Sequence, residues 1–375
     1  MYKILIKPHW VLQQPDQSQQ ALPNLLELCA AIDDLGNLAA ACRRVGVSYR
    51  HGWGLMREAT RLFQSPVAEL QPGRGAKLTP LGEKLLWADK RISARLSPIL
   101  DTLASELEVE LERVLSHTIG ILRMHASHGF AVEALREVLV ERAIPVELKY
   151  VGSQEALASL VQNECDIAGF HLPLGELQAA ALKQYSSWLN TPGLTLLNLA
   201  TRQQGLMVPP HNPKRLASLH DLARKDIRFI NRQPGSGTRL LLDLLLKRDG
   251  IDSHAIHGYE VSEYTHAAIA AHVASGMADV GFGIETGARR FGLDFIPVVA
   301  ERYFLVCKTE RLKIKSVQQI LAILKDRAFK FRVNQLPGYD AKDCGNVISM
   351  SDAFTSPRRP PRSKIAQKPI RSTIK

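Results

Sequence analysis

From Pro80 to Ser116 the chain has no glycine after Gly82. Leu81, Leu85, Ile92, Leu96, Ile99, Leu103, Leu107, Leu111 and Val114 recur at steps of three, four and seven. That spacing is one apolar face of a helix. A helix of about 35 residues is about 50 Å long. A rod of that length is hard to bury inside one small domain. It therefore predicts a connector between folded units, with the apolar stripe as a dimer seam. Thr79 as N-cap, Pro80 at the first position and Glu83 as partner of a capping box mark its start. Pro98 predicts a kink or a break. The other reading is two packed helices split near Ser97.

The 375 residues on either side of and including this rod allow two or three domains. A 45% hydrophobic and 23% charged content is ordinary for a globular chain. The formal charge of +11 is uneven, because Arg358, Arg359, Arg362, Lys364, Lys368, Arg371 and Lys375 face only Asp352 in the last 25 residues. Global charge is thus weak evidence for nucleic acid, and local clusters must carry that inference. Cys29, Cys42, Cys165, Cys307 and Cys344 show no C-x-x-C spacing, which argues against a disulfide framework or a zinc site and for buried free thiols. "MYKILIKPHW" is too short and polar for a secretory signal, and no uncharged run approaches the ~20 apolar residues of a membrane span. A cytoplasmic location without membrane contact is expected, with no prosthetic group and no metal.

Residues Tyr2–Val11 alternate and read as a strand. Leu22–Phe63 reads as helical, broken at Gly36 and Gly46. In "GNLAAACRRVGVSYRHGWGLMREATRLF", Asn37 caps a short alanine-rich helix, Gly46 turns the chain and Ser48 caps a second helix. Val47, Trp53, Leu55, Met56, Ala59 and Phe63 make its expected buried stripe. Tyr49, Arg50, His51 and Arg57 lie at or near its exposed N-terminal side, the part of a helix-turn-helix that enters a major groove. Arg50 suits guanine edges. Arg43, Arg44, Arg57 and Arg61 suit phosphates. "QPGRGAKLT" then reads as a hairpin wing presenting Arg74 and Lys77.

Beyond Ser116 strand and helix signals alternate, which argues for a doubly wound α/β domain. "LTLLNLATRQQGLMV", "HAIHGYEVSEY" and "LDFIPVVAERYFLVCK" read as strands. "SVQQILAILKDRAFKFRVNQLPGYD" adds a closing helical segment, and beyond about Gly345 a basic disordered tail is expected. The sharpest local signal is "RFINRQPGSGTRLLLDLLL" (Arg228–Leu246). A short apolar run enters a loop with Pro234, Gly235 and Gly237, and a helix follows at once. Ser236 and Thr238 supply hydroxyls and Arg232 and Arg239 supply charge at a helix N-terminus, a socket for a small anion. Loops after strands face the cleft of an open α/β sheet. On that rule Ser127, His128, Ser153, Phe170, His171, Asn231, Gly237, Tyr264, Thr265, His266 and Glu285 join the candidate lining, with Arg202 raising the chance of a more charged ligand.

Leu25–Leu86 resembles the winged helix-turn-helix of LysR-type and, more closely, ModE-type bacterial regulators, above all in "GVSYRHGW" and "LTPLGEKLL". Residues 118–340 resemble the periplasmic-binding-protein fold in its regulator-fused, molybdate-binding-like form. The carrying segments are "VGSQEALASLVQNECDIAGFHLP", "INRQPGSGTRLLLD" and "EVSEYTHAAIAAHVASGMADVGFGIE". The resemblance implies a winged helix-turn-helix at 1–79, a linker helix at 80–116, a two-lobed α/β ligand-sensing domain at 117–345 and a basic tail at 346–375. It implies a homodimer or tetramer on a double-stranded operator, and a small anionic effector such as molybdate, tungstate or a related metabolite.

Enzyme motifs fail one by one. Gly235-Ser236-Gly237-Thr238-Arg239 lacks the lysine of a P-loop, and Leu240 stands where the dinucleotide fingerprint needs a small residue. There is no H-E-x-x-H and no G-x-S-x-G. The expectation is a ligand-sensing transcription regulator rather than an enzyme. An enzyme or ligand carrier of molybdenum-cofactor metabolism is the alternative.

Overall fold

The computed structural model describes residues 3–13, 19–71, 75–116, 121–350 and 353. Three helices open the fold: α1 (Leu25–Leu35), α2 (Leu38–Val45) and α3 (Tyr49–Phe63). They follow a small ribbon of β1 (Val11–Gln13) and β2 (Gln19–Ala21) and precede the hairpin β3 (Ala68–Gln71) and β4 (Gly75–Leu78). Asn37 caps α2 through Ala40 N–H and Ser48 caps α3 through His51 N–H, as their positions in the sequence predict. Leu28, Ile32, Ala41, Leu55 and Ala59 share one core with Leu86 of the following helix.

Two expectations here need correction. Residues 3–10 form no regular strand, since Pro8 cannot donate to a ladder and the strand begins only at Val11. Trp53 is not core. It is 40% exposed and lies under the Arg57 guanidinium, 5.1 Å from the ring centroid. Gly52 takes the buried position instead, against Cys42.

The connector is a single helix, α4 (Pro80–Ser116), with Pro98 inside it. The Thr79 hydroxyl caps its start through Gly82 N–H. Beyond it the chain alternates: β5 (Leu122–Ala126), α5 (Phe130–Glu141), β6 (Val146–Tyr150), α6 (Ser153–Val161), β7 (Ile167–Pro173), α7 (Gln178–Leu189) and β8 (Leu194–Val208). Then come β9 (Phe229–Arg232), α8 (Gly237–Arg248), β10 (Ser262–Glu263), α9 (His266–Ala274), β11 (Val280–Ile284), α10 (Glu285–Arg290) and β12 (Asp294–Lys308). The close is α11 (Lys315–Lys325), α12 (Arg327–Asn334), β13 (Tyr339–Asp340) and β14 (Val347–Ser349).

The sheet is mixed rather than purely parallel. Its order is β10-β9-β11-β8-β12-β7-β5-β6, with β13 and β14 also on β8. β5, β6 and β7 pair in parallel, as do β9, β10 and β11. The long β8 and β12 pair antiparallel through the middle and belong to both halves. One lobe packs α5, α11 and α12 on one face of its strands and α6 and α7 on the other. The second lobe does the same with α8 and α9.

"HAIHGYEVSEY" contributes only Ser262–Glu263 as strand, the remainder being turns and a 3-10 segment at Ser253–Ala255. The closing helical segment divides at Asp326, whose carboxylate caps α12. Order runs past Gly345, because Val347–Ser349 finds free pairing positions on β8. The remainder of the predicted tail lies outside the described residues. No helix among the described residues is long and apolar enough to cross a membrane.

Candidate functional site

The lobes meet over a cleft of about 460 Å³. Four helices start at its walls: α5 after Ser127 and His128, α6 at Ser153, α8 at Gly237 and α9 at His266. Ser236 caps α8 and Thr265 caps α9. No side chain caps α5 or α6. Val132 N–H in α5 is taken by the Gly129 carbonyl, which leaves Phe130 and Ala131 of α5 and the first turn of α6 with N–H groups free at positive helix ends.

The floor is the β8–β12 crossing, where Arg202 faces Glu301 directly across the ladder. Arg202 Nε donates to Glu301 Oε1 at 2.5 Å, and Gln204 Nε2 donates to the same oxygen at 2.7 Å. Arg202 is 1% exposed and Glu301 fully buried. Burial opposes the Arg202 charge, but Glu301 and Tyr339 outweigh it and push its pKa above the ordinary arginine value. Burial likewise opposes the Glu301 charge, and Arg202, His171 and the donated hydrogen bonds hold it below the usual carboxylate range. Neither terminal nitrogen of Arg202 makes a hydrogen bond of good geometry, although the Tyr339 hydroxyl lies beside the guanidinium and favours its charge.

Arg232 is the second buried cation lining the cleft. Its Nη2 donates to the Tyr264 carbonyl at 2.8 Å and its Nε to Gln233 at 3.2 Å. Burial, then the charge of Arg202, pull its pKa down to about 9, so it is still charged at neutral pH. Two histidines complete the wall uncharged. Burial pulls His171 down to about 4 despite the pull of Glu301 upward. His266 lies well below its ordinary value, through burial and then Arg232 and Arg202. Glu301 ion-pairs with Arg202 and offsets the Arg232 charge only at longer range, which leaves net positive charge at the cleft.

Gly237 shows why the loop carries glycine. A Cβ there would stand 2.3 Å from His171 Nε2, across the lobe interface. Ser127 and Ser153 reach the other ring nitrogen of His171 at 3.4 and 3.5 Å.

Among the sequence-derived candidates, Ser127, His128, Ser153, His171, Arg202, Arg232, Ser236, Gly237, Thr238, Tyr264 and His266 line this cleft. Phe170, Asn231, Arg239, Thr265 and Glu285 do not, for identifiable reasons: Phe170 is packed in the core against Tyr185 and Phe304. Asn231 is turned under the loop, donating to the Tyr259 carbonyl. Arg239 stacks on Tyr259, 3.9 Å from the ring centroid, and pairs with Asp243. Thr265 is spent on α9 and on α4, and Glu285 pairs with Arg289. Sequence reasoning missed Glu301, Gln204 and the α4 residues Arg95, Pro98 and Ile99. The signal for Glu301 was present: a carboxylate in the middle of the apolar strand "LDFIPVVAERYFLVCK", away from the strand-end Asp294.

In the N-terminal part, Arg43, Arg44, Ser48, Tyr49, Arg50, His51, Arg57 and Lys77 are all exposed. Arg44 pairs with Asp34 at 2.8 Å. Arg74 lies outside the described residues.

Residues 137–325 match the PBP superfamily domain. The uncharacterized protein YvgK of Bacillus subtilis (strain 168) is 38% identical over 205 residues, covering 53% of this chain and 64% of that protein. The chain thus spans less than two thirds of that relative's length. The molybdenum-pterin-binding protein MopB of Rhodobacter capsulatus is 37% identical over 136 residues, 35% of this chain and 49% of that protein. Among solved structures, CbnR, a LysR family transcriptional regulator, aligns over 79% of this chain and 98% of its own, at 18% identity and a TM-score of 0.36.

Proposed function

The chain belongs to the PBP superfamily, and from that premise we propose that its two lobes sense a small anion on behalf of a DNA-binding N-terminal unit. The observation that carries the ligand half is Arg202, sequestered at the cleft floor with neither terminal nitrogen in a well-formed hydrogen bond. Leaving buried donors unmade is costly, and an oxyanion accepting from the guanidinium fork would satisfy them. Uncapped helix N-termini at α5 and α6 favour the same occupant. Molybdate, tungstate and molybdenum-cofactor-related anions are the first candidates, since one relative is named a molybdenum-pterin-binding protein.

Support for the DNA half comes from α2, the turn at Gly46, α3 with its exposed Arg50, His51 and Arg57, and the β3–β4 hairpin. This is the order of a winged helix-turn-helix, with α3 as the groove-reading helix. A second copy of the chain is the natural partner for α4, whose Leu103, Leu107, Leu111 and Leu115 stand exposed at four-residue steps. Leu107→Asp should convert a sedimenting dimer or tetramer to monomer.

Thermal shift of the full chain with molybdate, tungstate, phosphate and sulfate tests the ligand half, because an anion that binds the native state raises the melting temperature by mass action. Arg202→Met serves as the control. No shift with any of them at high concentration sinks it. Fragments selected from a random-sequence DNA pool test the other half. Affinity should fall steeply with salt and with Arg50→Ala, and insensitivity to both would refute DNA readout.

A hydrolytic reading has one observation in its favour, the row Ser153–His171–Glu301. Its links are 3.5 and 3.8 Å, longer than a working nucleophile–base pair, and an imidazole pulled down to about 4 is a weak base at neutral pH. Turnover of a candidate ester lost in Ser153→Ala would restore it.

A further inference from the structure

Helix α4 is a wall of the cleft. Arg95, Pro98 and Ile99 line it together with the α8 loop, Tyr150 and Tyr264. The helix is fastened to both lobes on either side of Pro98. Before it, Arg95 makes two 2.8 Å hydrogen bonds to Glu263, and the Ala94 carbonyl accepts from Thr265. After it, the Thr102 and Ser105 hydroxyls accept from Tyr150 and Leu148 N–H on β6.

The cleft therefore has a charged floor and an apolar side. Arg202 and Arg232 form the floor. Ile99 at 58% exposed and Tyr264 at 60% exposed leave apolar surface uncovered at the side. Its volume, about 460 Å³, falls within the roughly 300–1,000 Å³ of clefts that hold drug-sized organic ligands. A water occupies about 30 Å³ of the liquid, so an anion of four oxygens leaves most of this space unfilled.

We propose that the cleft takes an organic oxyanion, with a phosphate or carboxylate head at Arg202 and Arg232 and an apolar body against Pro98 and Ile99, so that the connector helix is part of the ligand site. The proposal rests on the anion-site reading above. The ligand then touches the segment that leads to the N-terminal unit, at the internal position where α4 lacks a backbone donor.

Calorimetry on the full chain with inorganic phosphate, phenyl phosphate and benzoate tests this. Phenyl phosphate or benzoate should bind about tenfold or more tightly than inorganic phosphate, the gain expected from burying a ring. Ile99→Asn should remove that gain and leave inorganic phosphate binding unchanged. Ile99 is exposed, and sedimentation of the variant checks that assembly is unaltered. Tyr264→Ala, on the same apolar side, should reduce the same gain. Arg202→Met should abolish all three. Equal affinity for the bare and the aryl-bearing anions, or a gain that survives Ile99→Asn, overturns the proposal while leaving the anion site standing. Absence of binding by all three overturns both.

Discussion

The hydroxyl of Thr265 donates to the carbonyl oxygen of Ala94 at 2.9 Å, supplying the hydrogen bond that Pro98 cannot. In an uninterrupted helix that carbonyl would accept from the residue four positions on. Proline has no N–H to give. Thr265 belongs to the second lobe, where the same oxygen accepts from Ala268 N–H at 2.8 Å and caps α9. A single hydroxyl thus serves two helices from different parts of the molecule, and it explains how one continuous α4 tolerates an internal proline.

Thr265→Val should cost about 1–3 kcal/mol, from a lost cap and an Ala94 carbonyl left with only the long 3.5 Å bond from the Ser97 hydroxyl. Pro98→Ala restores an N–H to α4, so in that background the same substitution should cost about 1 kcal/mol less. Urea unfolding of the four chains of the cycle reads the coupling directly. Strict additivity would mean that Thr265 acts on α9 alone.

Arg202→Met should destabilise the fold by about 3–5 kcal/mol, because it strands Glu301 as a buried carboxylate without its cation. Adding Glu301→Gln should recover much of the loss while anion binding stays absent. Chemical denaturation separates the two effects from ligand titration. A single variant as stable as the parent would show that Glu301 reaches water.

Stability should fall on acidification between about pH 6.5 and pH 4. His171 has an ordinary pKa of 6.5 and a folded value of about 4, so the unfolded chain takes up the proton first as pH drops. Its contribution is complete above 6.5 and is lost by about 4, at most about 3 kcal/mol. His266 acts in the same direction, and Glu263 and Glu301, both held low, follow at still lower pH. Urea midpoints at pH 7.5, 6 and 5 should decline, and His171→Gln should flatten the slope. A rise from pH 7 to 5 would show that the imidazole is charged in the fold.

Gly52→Ala should destabilise the N-terminal core by about 1–3 kcal/mol, since its Cβ would stand 2.3 Å from Cys42 Sγ. Cys42→Ala removes that sulfur and should make the same substitution nearly neutral. Thermal unfolding of the single and double variants checks it. A Gly52→Ala cost that persists in the Cys42→Ala background would place the clash elsewhere.

Periodicity and punctuation made much of the fold legible. The stripe from Leu81 to Val114 specified α4, and Asn37, Ser48 and Thr79 marked helix starts that the structure keeps. Misreadings arose where a local pattern lacked a partner or met an unexpected one. Alternation in residues 3–10 found no neighbouring strand, Trp53 fitted a helical stripe yet faces outward, and Val347–Ser349 gained order from β8.

The candidate site divides along the same line. Helix starts and hydroxyls in "QPGSGTR" are local features, set by backbone geometry within a few residues, and the sequence alone determined them. Direction was not local. Arg232 and Arg239 are equivalent in the sequence, yet the first lines the cleft and the second stacks on Tyr259. Only the β8–β12 register brought Glu301 to Arg202 across 99 residues of chain, and only the packing of α4 made Ile99 a wall of the cleft. The physical reason is that helix periodicity, capping and turn chemistry act between near neighbours in sequence. The charge balance of a buried site is summed over whichever groups the tertiary structure brings within a few ångströms.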